Sequence, residues 1–174
     1  MHVSVIVTCY NEERNIRECL ETLINQTYDN DKFEILVIDG GSKDATQSIV
    51  KEFEKVYHNV TLAVEPKRGT AAGRNRGVVT ARYDYVAFID ADCEAPHDWL
   101  STLVKDYVKI QKKSEGVVAV GGTNIPPENA GSFLRAIGIA LDSYMGSFCS
   151  VQGRQFREQR FVTSLSNLNV VYNK

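Results

Sequence analysis

The chain has 174 residues, 43% of them hydrophobic and 24% charged, the make-up of one ordinary globular domain that can bury a core without cross-links. Its 20 Lys and Arg stand against 22 Asp and Glu for a net charge of −2, so no basic field argues for nucleic acid as a partner. Four scattered cysteines without a C-x-x-C pair (Cys9, Cys19, Cys93, Cys149) fit a reducing compartment, and the chain shows neither a signal-peptide pattern nor the ~20 apolar residues of a bilayer span, so a cytoplasmic location is expected.

Val3-Ser4-Val5-Ile6-Val7-Thr8-Cys9 is β-branched and uncharged, the pattern of a central strand buried on both faces. Helical spacing of Ile16, Leu20, Leu23 and Ile24 predicts a first helix over 12–26, with acidic residues in its first turn. Phe33 to Asp39 reads as a second strand ending in a carboxylate, and after Gly40-Gly41 the hydroxyl of Ser42 is expected to cap a helix over about 44–57,. Val60 to Val64 forms a third strand, 70–82 a third helix rich in small residues, and Tyr85-Val86-Ala87-Phe88-Ile89-Asp90 a fourth strand. Pro96 starts a fourth helix that runs to about Lys112, and Val117 to Gly122 makes a fifth strand,.

Five alternations of strand and helix imply an α/β fold, a doubly wound and mostly parallel sheet with helices on both faces. Ligands of such sheets bind outside the carboxyl ends of the strands. Those ends hold Tyr10, Asn11 and Glu12, then Asp39, Glu65, Asp90 with Asp92, and Gly121-Gly122. After Pro126-Pro127 the rhythm is lost. Phe133 to Phe148 reads as a helix, a flap or a membrane-surface segment; Arg154, Arg157 and Arg160 read as a solvated face or a contact to phosphate or anionic lipid,. Phe161-Val162-Thr163 and Leu168 to Tyr172 look like strands.

The stretch Asp90-Ala91-Asp92 places two carboxylates at the sheet's rim. They suit Mg²⁺ or Mn²⁺ bridging to phosphate oxygens, and they suit equally a helix cap at Asp90 and a turn former at Asp92. Asp39 has the right character to accept from a ring N–H or a ribose hydroxyl, and Arg68 and Arg74 to neutralise a diphosphate,. Together these parts describe a nucleotide diphosphate site. A dinucleotide-binding reading fails at the first turn, where Thr8-Cys9-Tyr10-Asn11-Glu12-Glu13 contains no glycine to bring backbone against pyrophosphate,. No G-x-x-x-x-G-K-[ST] loop is present either,.

Four blocks in order resemble glycosyltransferase family 2, nucleotide-sugar enzymes of the GT-A, Rossmann-like fold: Val3 to Glu13, Ile38-Asp39-Gly40-Gly41-Ser42-Lys43-Asp44-Ala45-Thr46, Arg68-Gly69 with Arg74-Asn75, and Phe88-Ile89-Asp90-Ala91-Asp92. The resemblance covers about the first two thirds of the chain. It implies that Thr8, Tyr10, Asn11, Glu12, Asp39 and Ser42 cradle the nucleoside, that Arg68, Arg74 and Asp90 lie near base or phosphates, and that Asp92, with Asp90, holds the metal. The usual proline of the first block is absent at Thr8-Cys9, and Gly73 stands where alanine is common.

The function implied is inverting transfer from a UDP- or GDP-sugar to a glycan or lipid-linked acceptor with Mg²⁺ or Mn²⁺, at the cytoplasmic face of a membrane where the acceptor is a lipid. The chain divides into a donor-binding core over 1–122 and the start of an acceptor-side region over 123–174. Members of the family usually continue past a strand like Asn167 to Tyr172 into a region whose Glu-Asp pair supplies the catalytic base; nothing after Tyr172 supplies it here, so the expectation is either a longer native chain, with membrane helices downstream, or a base from an unusual place. Glu94, Asp142 and Glu158 are candidate bases by position alone. The competing functions are a sugar-phosphate nucleotidyltransferase, which would need a Gly-rich loop after the first strand, and a non-catalytic nucleotide-sugar or metal-binding module.

Overall fold

The computed structural model describes residues 1–114, 116–127, 130–143, 158–162, 165 and 168–174. Its elements are β1 (Val3–Cys9), α1 (Ile16–Ile24), β2 (Phe33–Asp39), α2 (Thr46–Val56), β3 (Val60–Val64), α3 (Thr70–Thr80), β4 (Tyr85–Asp90), α4 (Trp99–Gln111), β5 (Ala119–Gly121), α5 (Ser132–Asp142) and β6 (Val170–Asn173). The long strands β1, β2 and β4 match the apolar runs of the sequence because each run is buried on both faces of the sheet,.

All strands lie in one sheet of order β3-β2-β1-β4-β6-β5. β1 pairs in parallel with β2 and β4, and β2 with β3. The expected run of five parallel neighbours stops there. β6 inserts between β4 and β5 and is antiparallel to both, so β5 keeps the direction of β4 without touching it. A four-residue strand arriving from far along the chain leaves no local sequence signal for this placement.

Alternation along the strands divides the core in two. Val3, Val5 and Val7 face one side with Ile16, Leu20 and Leu23 of α1, Val50 and Phe53 of α2, and Trp99, Leu100 and Leu103 of α4. Each such side chain taken from water contributes about 1.5–3 kcal/mol. Ile6, Leu36, Ile38 and Phe88 face the other side, where α3 packs. Gly73 and Gly77 let that helix approach β1: a Cβ at Gly77 would stand 2.5 Å from Ile6 Cγ2, and one at Gly73 3.1 Å from Thr8 Cγ2.

The helices start later than their periodicity predicts. α1 begins at Ile16 rather than 12, α2 at Thr46 rather than 44, and α4 at Trp99 rather than Pro96. In each case the intervening residues form hydrogen bonds that reach another part of the chain. Past β5 only α5 and β6 are regular among the described residues. None of α5 is buried; Phe133 is 76% exposed. Phe161 and Val162 are irregular rather than a strand, and Arg154, Arg157, Thr163 and residues 144–148 lie outside the described residues. No described helix is long and apolar enough to cross a membrane.

Candidate functional site

A cleft of about 380 Å³ opens at the carboxyl edge of the sheet. Thr8, Cys9, Tyr10 and Glu12 line it from the end of β1, Ile38 and Gly40 from β2, and Asp90, Ala91 and Asp92 from β4. The segment Glu65 to Thr70 with Gly73 of α3 closes the remaining side. Of the residues singled out in the sequence, Thr8, Tyr10, Glu12, Arg68, Asp90 and Asp92 therefore share one cavity. Asn11, Asp39, Ser42 and Arg74 are not among the residues that line it.

Asp39 is fully buried, at 0% exposure. Its Oδ1 accepts from the Gly41 N–H (3.0 Å), the Ser42 N–H (2.9 Å) and Gln47 Nε2 (2.6 Å). Its Oδ2 accepts from the Ser42 hydroxyl and from Cys9 Sγ at 3.7 Å. Burial first, and then the Asp39 charge, push the Cys9 thiol far above its ordinary range, so it remains a donor. A buried carboxylate is tolerable only with its lone pairs met in this way.

Ser42 consequently does not cap α2. Its hydroxyl donates to Asp39 and accepts from the Asn11 N–H at 2.8 Å, while the helix starts after Ala45 with no side-chain cap. Asn11, at φ 56°, accepts from the Lys43 N–H through Oδ1 (2.9 Å). Next along, Glu12 N–H donates to Thr46 Oγ1 (2.8 Å), Glu13 N–H to Asp44 Oδ2 (3.1 Å), and Ala45 N–H to Glu13 Oε2 (3.0 Å). These reciprocal bonds stitch the β1–α1 and β2–α2 loops into one wall, and they satisfy N–H groups ahead of α1 that have no partner within the helix,.

The opposite wall is less self-contained. Arg74 Nη2 donates to Asp90 Oδ1 at 2.9 Å, the two side chains being 22% and 35% exposed. Asp90 is thus oriented by α3 and caps no helix; the residue before α4 is Asp98, without a side-chain cap. Asp92 is exposed, and among the described residues its carboxylate receives one weak bond, from Cys93 Sγ at 3.6 Å. Burial, with Asp92 and Asp90 adding to it, pushes that thiol up to about 12. Across the mouth the Arg68 guanidinium lies 5.6 Å from the centre of the Tyr10 ring, within cation–π range.

Among the described residues no three His, Cys, Asp or Glu side chains gather to hold an ion. A pair of hard oxygen donors on an open wall, Asp92 and the second oxygen of Asp90, does not make a closed cage. It does fit an ion such as Mg²⁺ or Mn²⁺ that takes its other ligands from a diphosphate and water.

The family model described as Glycosyl transferase family 2 matches residues 4–134. The chain belongs to glycosyltransferase family 2. It is 34% identical over 170 residues to the glycosyltransferase AglE of Haloferax volcanii, spanning 97% of this chain and 52% of that protein. It is 32% identical over 122 residues to a dolichyl N-acetyl-α-D-glucosaminyl phosphate 3-β-D-2,3-diacetamido-2,3-dideoxy-β-D-glucuronosyltransferase of Methanococcus voltae, spanning 69% of this chain and 38% of that one. The chain therefore spans about half the length of the first of these relatives and less of the other.

Among solved structures, the mannosyltransferase PcManGT of Pyrobaculum calidifontis in complex with GDP-Man and Mn²⁺ superposes with a TM-score of 0.63 at 32% identity, over 74% of this chain and 36% of that one. S. aureus TarS 1-349 in complex with UDP superposes at 0.61 with 26% identity, over 75% and 38%. The GT-A fold expected of the family-2 blocks is the fold observed.

Sequence reasoning missed several parts of the site. Lys67 and Thr70 line the cleft without a motif of their own. Gln47, in the first turn of α2, belongs to no motif and completes the Asp39 network. Glu94, Asp142 and Glu158, the candidate bases, do not line the cleft; the carboxylates that do are Glu12, Glu65, Asp90 and Asp92.

Proposed function

We propose that this chain is the donor-binding part of an inverting glycosyltransferase that takes a UDP- or GDP-sugar with Mg²⁺ or Mn²⁺. The observation that carries the reading is the convergence of Asp90 and Asp92 with Tyr10 and Arg68 in one cleft at the strands' carboxyl edge. The ligands of the two structural relatives, UDP in one and GDP-Man with Mn²⁺ in the other, support both the nucleotide and the ion.

In this reading the nucleoside rests on the wall of Thr8, Tyr10 and Glu12, with Asn11, Asp39 and Ser42 holding that wall's shape. Asp92 and Asp90 face the diphosphate, and Arg74 keeps Asp90 turned toward it. Arg68 and Lys67 sit at the mouth, where they offset phosphate charge not met by the ion. The α3 N-terminus at Gly69-Thr70 directs backbone N–H groups to the same place. An acceptor hydroxyl attacks the anomeric carbon from the face opposite the nucleotide while a base removes its proton. A divalent ion, when bound, stabilises the charge that develops on the leaving diphosphate.

We assign 1–122 to donor binding and 123–174 to the acceptor side. The acceptor is a glycan or a lipid-linked sugar. The dolichyl phosphate substrate in the Methanococcus relative's name and the uncovered apolar surface of α5 support the lipid-linked choice, and with it a place at a membrane's cytoplasmic face. Thermal shift with UDP, GDP and ADP, with and without Mn²⁺, tests the donor site: UDP or GDP should raise the melting temperature more with Mn²⁺ than without. Equal melting in all conditions would remove the donor-site reading. Release of labelled sugar from UDP- and GDP-sugars then tests turnover.

A further inference from the structure

The turn that carries Asp92 runs from Asp90 to the start of α4, and polar residues of α1 and of the segment just past its end hold it. Cys19, Thr22 and Gln26 succeed one another three and four residues apart, which places them on one side of the helix and its C-terminal extension. Cys19 Sγ donates to the Asp90 carbonyl oxygen at 3.7 Å. Thr22 Oγ1 accepts from the Ala95 N–H at 3.0 Å and gives its own proton to the Cys19 carbonyl oxygen at 2.7 Å. Gln26 Nε2 donates to the Pro96 carbonyl oxygen at 2.7 Å, and its Oε1 accepts from the Leu100 N–H at 2.9 Å. The Thr27 N–H adds a bond to the His97 carbonyl oxygen at 2.8 Å.

Every one of these bonds ends on backbone, and together they reach the turn before and after Asp92. Gln26 is 7% exposed, so water does not readily replace its amide. Leu20 and Leu23 on the same helix bury apolar side chains at 0% exposure; polar residues on the neighbouring stripe give up some of that burial for directed bonds. Asp92 itself is exposed and weakly bonded. What the bonds from 19–27 constrain is the backbone on which the Asp92 side chain stands.

We propose that Thr22 and Gln26 are positioning residues of the donor-metal site, holding the 93–100 backbone so that Asp92 stays directed into the cleft beside Asp90. The assignment rests on the donor-site reading above. Groups that orient a metal ligand from behind typically change metal affinity by about 10–100-fold when removed.

The test compares the full chain with Thr22→Val, Thr22→Ser and Gln26→Leu, titrating Mn²⁺ in the presence of UDP and of GDP, and titrating each nucleotide without metal. Alkylation of Cys93 in metal-free protein, followed by peptide mass spectrometry, reports opening of the turn independently. Thr22→Val is expected to weaken Mn²⁺ by about tenfold, to leave metal-free nucleotide affinity unchanged and to speed Cys93 alkylation. Thr22→Ser should restore all three to wild type, and Gln26→Leu should act in the same direction as Thr22→Val. Wild-type Mn²⁺ affinity and alkylation in Thr22→Val would overturn the assignment, as would an equal loss of nucleotide affinity with and without metal. A wild-type chain without metal-dependent nucleotide binding would overturn the donor-site reading and this assignment together, whereas normal wild-type binding with unaffected variants would overturn this assignment alone.

Discussion

β2 and β4 are written alike, as apolar strands that end in aspartate at the same edge of the sheet, yet their carboxylates have opposite fates. Asp39 is sealed, with four oxygen- and nitrogen-bound protons and a thiol directed at it. Asp90 has one ion-pair partner from α3, and Asp92 is open to solvent. The difference lies in the loop after each strand. Gly41 and Ser42 fold their N–H groups back onto Asp39, whereas in Ala91-Asp92-Cys93 the turn bond runs from the Cys93 N–H to the Asp90 backbone carbonyl at 3.1 Å, which leaves the carboxylates available. A carboxylate at a strand end is thus a loop staple or is left open according to the donors that the next three residues supply.

The largest test of that contrast is Asp39→Ala. It strands several donors in a closed site, and about 3 kcal/mol or more of folding stability should be lost in urea unfolding; a loss under about 1 kcal/mol would mean that Asp39 is not a staple. Gly77→Val comes next. Its new Cβ would meet Ile6 Cγ2 at 2.5 Å, so α3 must shift, costing about 1–3 kcal/mol by the same measurement and moving Arg74 relative to Asp90. Arg74→Met should cost less, about 1 kcal/mol for a partly exposed pair, while weakening nucleotide binding because Asp90 loses its orientation; unchanged binding would detach Arg74 from the site.

The smallest effect concerns pH. Burial pushes the Cys19 thiol from 9.0 up to about 12. Unfolded chains ionise this thiol first, so its contribution to stability is complete below about pH 9 and is lost as pH rises toward 12,. The alkaline fall in melting temperature should be shallower in Cys19→Ala than in wild type, and an identical fall would contradict the burial of the thiol in solution.

β1, β2 and β4 were legible in the sequence because each is a short and mainly apolar run, whereas the apolar pair Phe161-Val162 is irregular; the cleft was legible because a parallel sheet gathers its strand ends on one edge. The helix starts were not. Ser42 and Pro96 carry ordinary start signals, but tertiary bonds to Asp39 and Gln26 claim the hydroxyl and the carbonyl a helix would have used. The antiparallel entry of β6 beside β4 depends on pairing between residues some 80 positions apart in the chain, which no local pattern encodes. The positioning role proposed for Thr22 and Gln26 was hidden for a related reason: on a helix otherwise read by its Ile and Leu spacing, two polar residues look solvent-facing until the turn they touch is in place.

We propose that the open carboxylate of the turn after β4, and not the sealed one of β2, binds the donor's metal. Calorimetric titration of UDP and GDP with and without Mn²⁺, on wild type and Asp92→Ala, tests it most directly. Wild type should bind at least one nucleotide in a metal-dependent way, and Asp92→Ala should lose that dependence while melting close to the wild-type temperature. Full metal-dependent binding by Asp92→Ala, or none by wild type, would contradict the claim.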